Sequence, residues 1–144
     1  MNYKRIFEQS EFNFKYSEPD MNTPQVHDYS EMFENLDLSF IPRYSDQTGS
    51  KGYDQHSMIK ALIIKVLEGY RSNLQLIREI KSKPFLCEQI IGFKDGNVPD
   101  DSTFSRFLNK LDPELLREAL AKTNKKKLQK AAKLLISLQS IPNP

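Results

Sequence analysis

The 144-residue sequence contains one cysteine, no tryptophan and only two histidines. A single cysteine, Cys87, excludes an internal disulfide and a cysteine-rich zinc site. Cys87 follows Leu86 in an apolar stretch, so we expect a small core residue, with a reactive thiol as the alternative. His27 and His56 have no second metal-binding residue at ligand spacing, so we expect both to be surface or capping residues. The sequence predicts no cofactor.

Long hydrophobic runs are also absent. No stretch of 18 apolar residues exists that could span a bilayer. Lys4 and Arg5 are followed by Glu8 and Glu11 instead of an apolar run, which is not the pattern of a signal peptide. We therefore expect a cytoplasmic protein without a membrane partner, and its length and 38% apolar content fit one globular domain.

The net charge is only +2, but the charges are unevenly distributed. Residues 1–50 hold four cations and nine acids, whereas residues 101–144 hold nine cations and four acids. This gradient concentrates positive charge near the end of the chain, where it could attract a polyanion. A lysine-rich stretch, 122–130, lies there, and Lys125, Lys126 and Lys127 are candidate contacts to a phosphate backbone. The alternative is a solvated helix face.

The periodicity predicts an all-α fold, a helical bundle with an irregular N-terminal arm and a C-terminal tail. We divide the chain into an arm at 1–28, a helical domain at 29–121, and a lysine-rich helix and tail at 122–144. The arm shows no sustained apolar period. The first predicted helix, 29–37, has Asp28 or Ser30 as its cap. Further helices are predicted at about 55–69, 73–81, 84–92, 101–111 and 113–138.

Two of these helices have features that guide the rest of the interpretation. The 55–69 helix is apolar on nearly every side, which indicates a central core helix. The 73–81 helix can be capped by Ser72 or Asn73.

The segment 98–107, VPDDSTFSRF, combines a helix start with an amphipathic helix. Pro99 disfavours helix for Val98, and Asp100 or Asp101 can accept hydrogen bonds from the first free amides. We assign Asp101 as the cap.

The helix that follows has one apolar stripe and one polar side. Phe104, Phe107, Leu108 and Leu111 recur at helical spacing, so this stripe should dock on the core. The residues left for the other side can bind phosphates or base edges, as the second helix of a helix-turn-helix does. They are Ser102, Thr103, Ser105, Arg106, Asn109 and Lys110. The alternative is an ordinary capped surface helix.

No catalytic set assembles from the sequence. The carboxylates of Asp100 and Asp101 are neighbours in sequence and do not converge as a metal pair would. The glycines are isolated turn residues and form no phosphate loop. We therefore predict that this chain is not itself an enzyme.

Three segments together resemble a known family. They are YD at 53–54 followed by MIKAL at 58–62, LEGYRS at 67–72 followed by QL at 75–76 and EI at 79–80, and VPDDSTFSRF at 98–107. Their order and spacing resemble the N-terminal domain of insertion-sequence transposases of the IS5/IS1182 kind, within the IS4-like group, over about residues 25–120. The resemblance implies a helix-turn-helix, here the helices at 73–81, 84–92 and 101–111, that binds the terminal inverted repeats of the element.

The family resemblance also implies a later ribonuclease-H-like catalytic domain, for which the sequence has no room. Gln139 stands where the first catalytic aspartate of that domain is expected, and an amide lacks the anionic oxygens that a magnesium site requires. We therefore expect a truncated, decayed copy that is nucleoid-associated and binds double-stranded DNA at the element ends without strand-transfer activity. The alternative is a helical interaction module that pairs with itself or with an intact transposase and inhibits it.

Overall fold

The computed structural model describes residues 16–39, 41–44 and 53–112, and six further residues: 114, 117, 118, 130, 133 and 134. All regular secondary structure within these residues is helical. The prediction of an all-α fold is confirmed.

The described elements follow one another with short connections. The α-helices are α1 (Glu18–Met21), α2 (Pro24–Glu34), α3 (Gln55–Glu68), α4 (Asn73–Lys81) and α5 (Asp101–Lys110). A π-helical segment, Leu86–Ile91, and a 3₁₀ turn, Lys94–Gly96, lie between α4 and α5. The helices predicted at 55–69, 73–81, 84–92 and 101–111 all have counterparts at these positions.

The start of the fold differs from the prediction. Within the arm predicted for 1–28, residues 18–21 and 24–28 are helical, and the helix expected at 29–37 spans Pro24–Glu34 instead. The Thr23 hydroxyl accepts a hydrogen bond from the amide of Val26, and Pro24 occupies the first helical position, where its missing N–H costs nothing. Threonine before proline is a helix-start pattern that could have shown this boundary.

Tyr16, which precedes α1, contacts the π-helical segment and the residue before it. Its side chain is only 4% exposed, and its ring packs edge-on against Phe85 with centroids 5.2 Å apart. The Gln89 amide donates a hydrogen bond of 3.1 Å to its hydroxyl oxygen. Tyr16, within the predicted arm, is thus buried in the fold.

α3 is the central helix, as its all-round apolar pattern predicted. Between Ser57 and Ile64, every residue of α3 except Lys60 is buried: Ser57, Met58, Ile59, Ala61, Leu62, Ile63 and Ile64. Burying four or more large aliphatic side chains contributes about 1.5 to 3 kcal/mol each, so α3 is the main source of hydrophobic stabilisation. It contacts both α4 and the π-helical segment, and the latter also contacts α2.

The π-helical segment ends at a glycine that packs against α3. Gly92 has φ +101°, and a Cβ atom placed there would lie 2.8 Å from Oγ of the buried Ser57. Only glycine combines that backbone conformation with so close an approach. Cys87, in the same segment, is 2% exposed, and burial raises the pKa of its thiol to about 11. This confirms the predicted core cysteine.

Some sequence predictions concern residues that the structure does not describe. Residues 1–15, most of the predicted 113–138 helix, the tail and Gln139 lie outside the described residues, as do Lys125, Lys126 and Lys127. The domain boundaries at 28/29 and 121/122 remain predictions.

Candidate nucleic-acid interface

The start of α5 is capped by Asp100. Its carboxylate oxygen Oδ1 accepts hydrogen bonds from the amide of Thr103, at 2.8 Å, and from the hydroxyl of Ser102, at 3.1 Å. The assignment of Asp101 as the cap is therefore wrong. Asp100 has the extended backbone (φ −80°, ψ 173°) that a capping residue needs, whereas Asp101 is already the first residue of the helix.

Capping keeps a negative charge at the start of α5. Hydrogen bonds from Thr103 and then Ser102 hold the pKa of Asp100 below its ordinary value of 3.8, with a smaller contribution from Arg106. The carboxylate is thus ionised at neutral pH and compensates the positive end of the helix dipole.

One side of α5 is anchored in the core. Phe104 is fully buried, and its ring packs edge-on against Phe93 with centroids 6.3 Å apart. Leu111 is buried, and Phe107 and Leu108 are half-buried against the same core. The predicted apolar stripe is confirmed, and it determines which side of α5 faces solvent.

The opposite side of α5 is polar and accessible. Ser102, Arg106, Asn109 and Lys110 are exposed, whereas Thr103 is half-buried. The guanidinium of Arg106 is 3.5 Å from the Thr103 hydroxyl, at the limit of a hydrogen bond. Because Ser102, Arg106 and Asn109 occur at i, i+4 and i+7, they form one row along the helix. The predicted α5 contacts therefore lie on or beside an exposed surface, although the Ser102 hydroxyl already donates to Asp100.

Ser105, the sixth predicted contact, is already engaged within the protein. The side-chain amide of Asn73, at the start of α4, donates hydrogen bonds to the Ser105 hydroxyl, at 3.2 Å, and to the Asp101 carboxylate, at 2.9 Å. The ammonium of Lys65, on α3, donates a hydrogen bond of 2.8 Å to the side-chain oxygen Oδ1 of Asn73. We call these four residues the α3–α4–α5 polar network. It joins the first turns of α4 and α5.

Burial and charge act in opposite directions on Lys65. Partial burial lowers the pKa of its ammonium group, and the nearby Asp101 carboxylate raises it. The negative charge of Asp101 is thus shared with a cation and an amide inside the protein. This gives Asp101 a structural role different from the capping role expected of it.

The polar network was not predicted from the sequence, although one observation pointed to it. Either Ser72 or Asn73 could cap α4, and the structure uses Ser72, whose hydroxyl accepts from the amide of Gln75 at 3.1 Å. Because Ser72 already caps α4, the Asn73 side chain is available for contacts with other helices. Which residues meet it depends on how α5 packs, and no local pattern encodes that.

The packed region coincides with a known family unit. A family model described as a transposase domain, DUF772, matches residues 10–110. The chain belongs to this family. No curated protein and no solved structure matched the chain. The match ends at Lys110, the last residue of α5, so the transposase domain includes all five α-helices described here.

The described part of the transposase domain offers no metal centre. No group of three His, Cys, Asp or Glu side chains among those residues is arranged to hold an ion. His27 is exposed on α2, and Nε2 of His56 lies 2.6 Å from the carbonyl oxygen of Ile41. Within the same ranges, every helix is too short or too polar to cross a membrane.

The transposase domain has a small cavity between α2 and α3. Its volume is about 270 Å³, and Asp28, Tyr29 and Glu68 are among its lining residues. The Tyr29 hydroxyl donates a 2.6 Å hydrogen bond to Glu68, and burial together with this acceptor raises the pKa of Tyr29. Its charged lining residues are Asp28, Glu68 and Lys130, and none of its lining residues belongs to α4 or α5.

Proposed function

We propose that this transposase domain binds double-stranded DNA at the ends of its element during DNA transposition, with α5 as the helix that contacts the bases. The observation that carries the proposal is the exposed row Ser102, Arg106 and Asn109 on a helix whose other side is locked into the core. Membership of a transposase domain family supports a role in transposition. We keep the IS5/IS1182 assignment as part of this proposal, on the three sequence segments that resemble it.

The side chains on α5 suit different DNA groups. The planar guanidinium of Arg106 can donate two parallel hydrogen bonds to a guanine or to a phosphate, and the Asn109 amide can pair with an adenine edge. Lys110, in the last turn, suits a phosphate, as do Lys125, Lys126 and Lys127 beyond the described residues. Ser102, Thr103 and Ser105 contribute through hydroxyls that are half-buried or already hydrogen-bonded, so their contacts are secondary.

The proposed DNA-binding unit is a helix-turn-helix in a broad sense. α4 and the helical turn beginning at Pro84 are joined by only Ser82 and Lys83, and α5 follows after the 3₁₀ turn. The usual motif joins its two helices by three or four residues. Here the contact between α4 and α5 is made instead through tertiary packing and the polar network.

The test is a binding titration of the full chain with an inverted-repeat duplex taken from beside its own gene and with a scrambled duplex of equal length. The Arg106→Ala variant should lower affinity for the repeat by about 5- to 150-fold, equivalent to roughly 1 to 3 kcal/mol, if Arg106 contacts a base through two hydrogen bonds. Lys94→Ala, which removes an exposed cation outside α4 and α5, is the matched control and should bind as the wild type does. Equal binding of wild type and Arg106→Ala to both duplexes would remove Arg106 from the site.

The interaction-module alternative stays a prediction, since Leu134, 41% exposed within the predicted C-terminal helix, is a single apolar side chain. An apolar interface through that helix would pair this chain with itself or with an intact transposase. Rising salt distinguishes the two functions, since it weakens DNA binding steeply and leaves an apolar helix interface largely intact. The decayed status of the copy stays a prediction, and a strand-transfer assay with Mg²⁺ on inverted-repeat ends tests it.

A further inference from the structure

α4 presents an outward face that is cationic and contains an exposed leucine. Leu74 is 59% exposed, the most exposed large hydrophobic side chain among the described residues. Arg78 and Lys81, four and seven residues further along, are also exposed, and Arg71 is exposed just before the helix. The opposite side of α4 is buried through Leu76 and Ile80. We call Arg71, Leu74, Arg78 and Lys81 the α4 outer face.

The α4 outer face adjoins the exposed row of α5. Asn73 touches Asp101 and Ser105, so the edges of α4 and α5 that carry these residues face each other. On α4, helical geometry places the half-buried Ile77 next to Asn73, followed around the helix by Lys81, Leu74 and Arg78. On α5, the same geometry places Asn109 and Ser102 outward from the edge carrying Asp101 and Ser105. The two rows therefore lie on the solvent-facing sides of two adjacent helices.

Within the described residues, the cations of the α4 outer face are not neutralised by ion pairs. No ion pair in the described part of the chain uses Arg71, Arg78 or Lys81. The acidic residue on α4, Glu79, is 3.3 Å from the ammonium of Lys83 and lies on the side away from α5. The Asp101 carboxylate is engaged by Asn73. Three such positive charges beside the proposed DNA-binding helix complement a phosphate backbone.

We infer that the α4 outer face is a second contact surface for the same DNA duplex, with Arg71, Arg78 and Lys81 binding phosphates and Leu74 packing on the sugars between them. This inference rests on the proposed function of α5. One isolated leucine surrounded by cations is too small an apolar area to dock a protein helix, whereas deoxyribose offers a matching narrow apolar strip. Phosphate contacts from α4 as well as from α5 would fix the orientation of α5 on the duplex.

The test compares two variants of the full chain on the inverted-repeat and scrambled duplexes over a series of salt concentrations. Arg78→Ala/Lys81→Ala should weaken binding to both duplexes by a similar factor of roughly tenfold or more at about 0.1 M salt. The double variant should also make the salt dependence shallower. The slope of log K (the association constant) against log salt is negative, and its magnitude should fall by about 2, since each phosphate that is no longer neutralised reduces it by about 0.9. Arg106→Ala should instead weaken binding mainly to the inverted repeat. Lys94→Ala is again the control, and circular dichroism melting checks that each variant is folded.

The outcomes separate this inference from the proposed function. If Arg106→Ala weakens binding and the α4 double variant binds with wild-type affinity and salt slope, the α4 surface is refuted and the DNA-binding function of α5 stands. If the wild type binds neither duplex, the α4 inference and the proposed DNA-binding function are both refuted. If Leu74→Asp converts an oligomer into a monomer without changing DNA affinity, the face belongs to a protein interface and the inference is wrong.

Discussion

Replacing Asn73 with alanine tests whether the polar network holds α5 against α4. The substitution removes hydrogen bonds to Lys65 at 2.8 Å, Asp101 at 2.9 Å and Ser105 at 3.2 Å. Hydrogen bonds to charged groups contribute about 1.5 to 3 kcal/mol when buried. Water can replace part of these bonds because Asp101 and Ser105 are exposed, so we take about 1 kcal/mol for each of the two charged partners.

The higher helix propensity of alanine offsets up to about 0.7 kcal/mol, which leaves a net loss of about 1 to 1.5 kcal/mol. With a urea m-value of about 2 kcal/mol/M, the unfolding midpoint should fall by about 0.6 M. Chemical unfolding followed by circular dichroism measures this shift. Asn97→Ala, at an exposed turn, is the matched control and should leave the midpoint unchanged.

A double-mutant cycle distinguishes the network from a general loss of stability. If Asn73 stabilises the fold through Asp101, the effects of Asn73→Ala and Asp101→Ala should be non-additive, with a coupling energy of about 0.5 to 1.5 kcal/mol. Effects that add to within about 0.3 kcal/mol would refute the reasoning, because residues in one hydrogen-bond network do not act independently.

Two further predictions concern the cap of α5 and the glycine beside α3. Because the folded-state pKa of Asp100 is lowered, its contribution to stability is present above its ordinary pKa of 3.8 and is lost as the pH falls toward the lowered value. Unfolding measured between about pH 2 and 6 should therefore show less acid sensitivity in Asp100→Asn, which keeps a capping oxygen. Gly92→Ala should destabilise the protein by roughly 1 to 3 kcal/mol through its positive φ and its approach to Ser57. Ser57→Ala in the same chain should recover part of the loss in a thermal melt, and no recovery would show that the Ser57 contact is unimportant.

Local patterns predicted most of the helices because helix formation depends on nearby residues. The apolar spacing within Gln55–Glu68 and the stripe through Phe104 both predict the buried sides that the structure has. The same local approach misplaced two boundaries. It assigned the cap of α5 to Asp101, since two adjacent aspartates satisfy the pattern equally well, and it overlooked the helix start at Thr23 and Pro24.

The candidate site was predicted only in part. The sequence identified Ser102, Arg106 and Asn109 because they occupy the polar side of an amphipathic helix, and their exposure follows from the burial of the other side. It did not identify Asn73, Lys65 or the α4 outer face. Those residues gain their significance from α5, which begins 28 residues after Asn73 along the chain.

The amino-acid sequence by itself determined the all-α class, the central helix and the polar side of α5, because each follows from the period of apolar residues and from capping within a few positions. Only the tertiary structure decided that Asp100 caps α5 while the Asp101 carboxylate accepts a hydrogen bond from Asn73, and that α4 packs beside α5. The physical reason is that a hydrogen bond between distant segments depends on how two helices pack. α4 packs on α3, on the π-helical segment and on α5, so its position depends on all three.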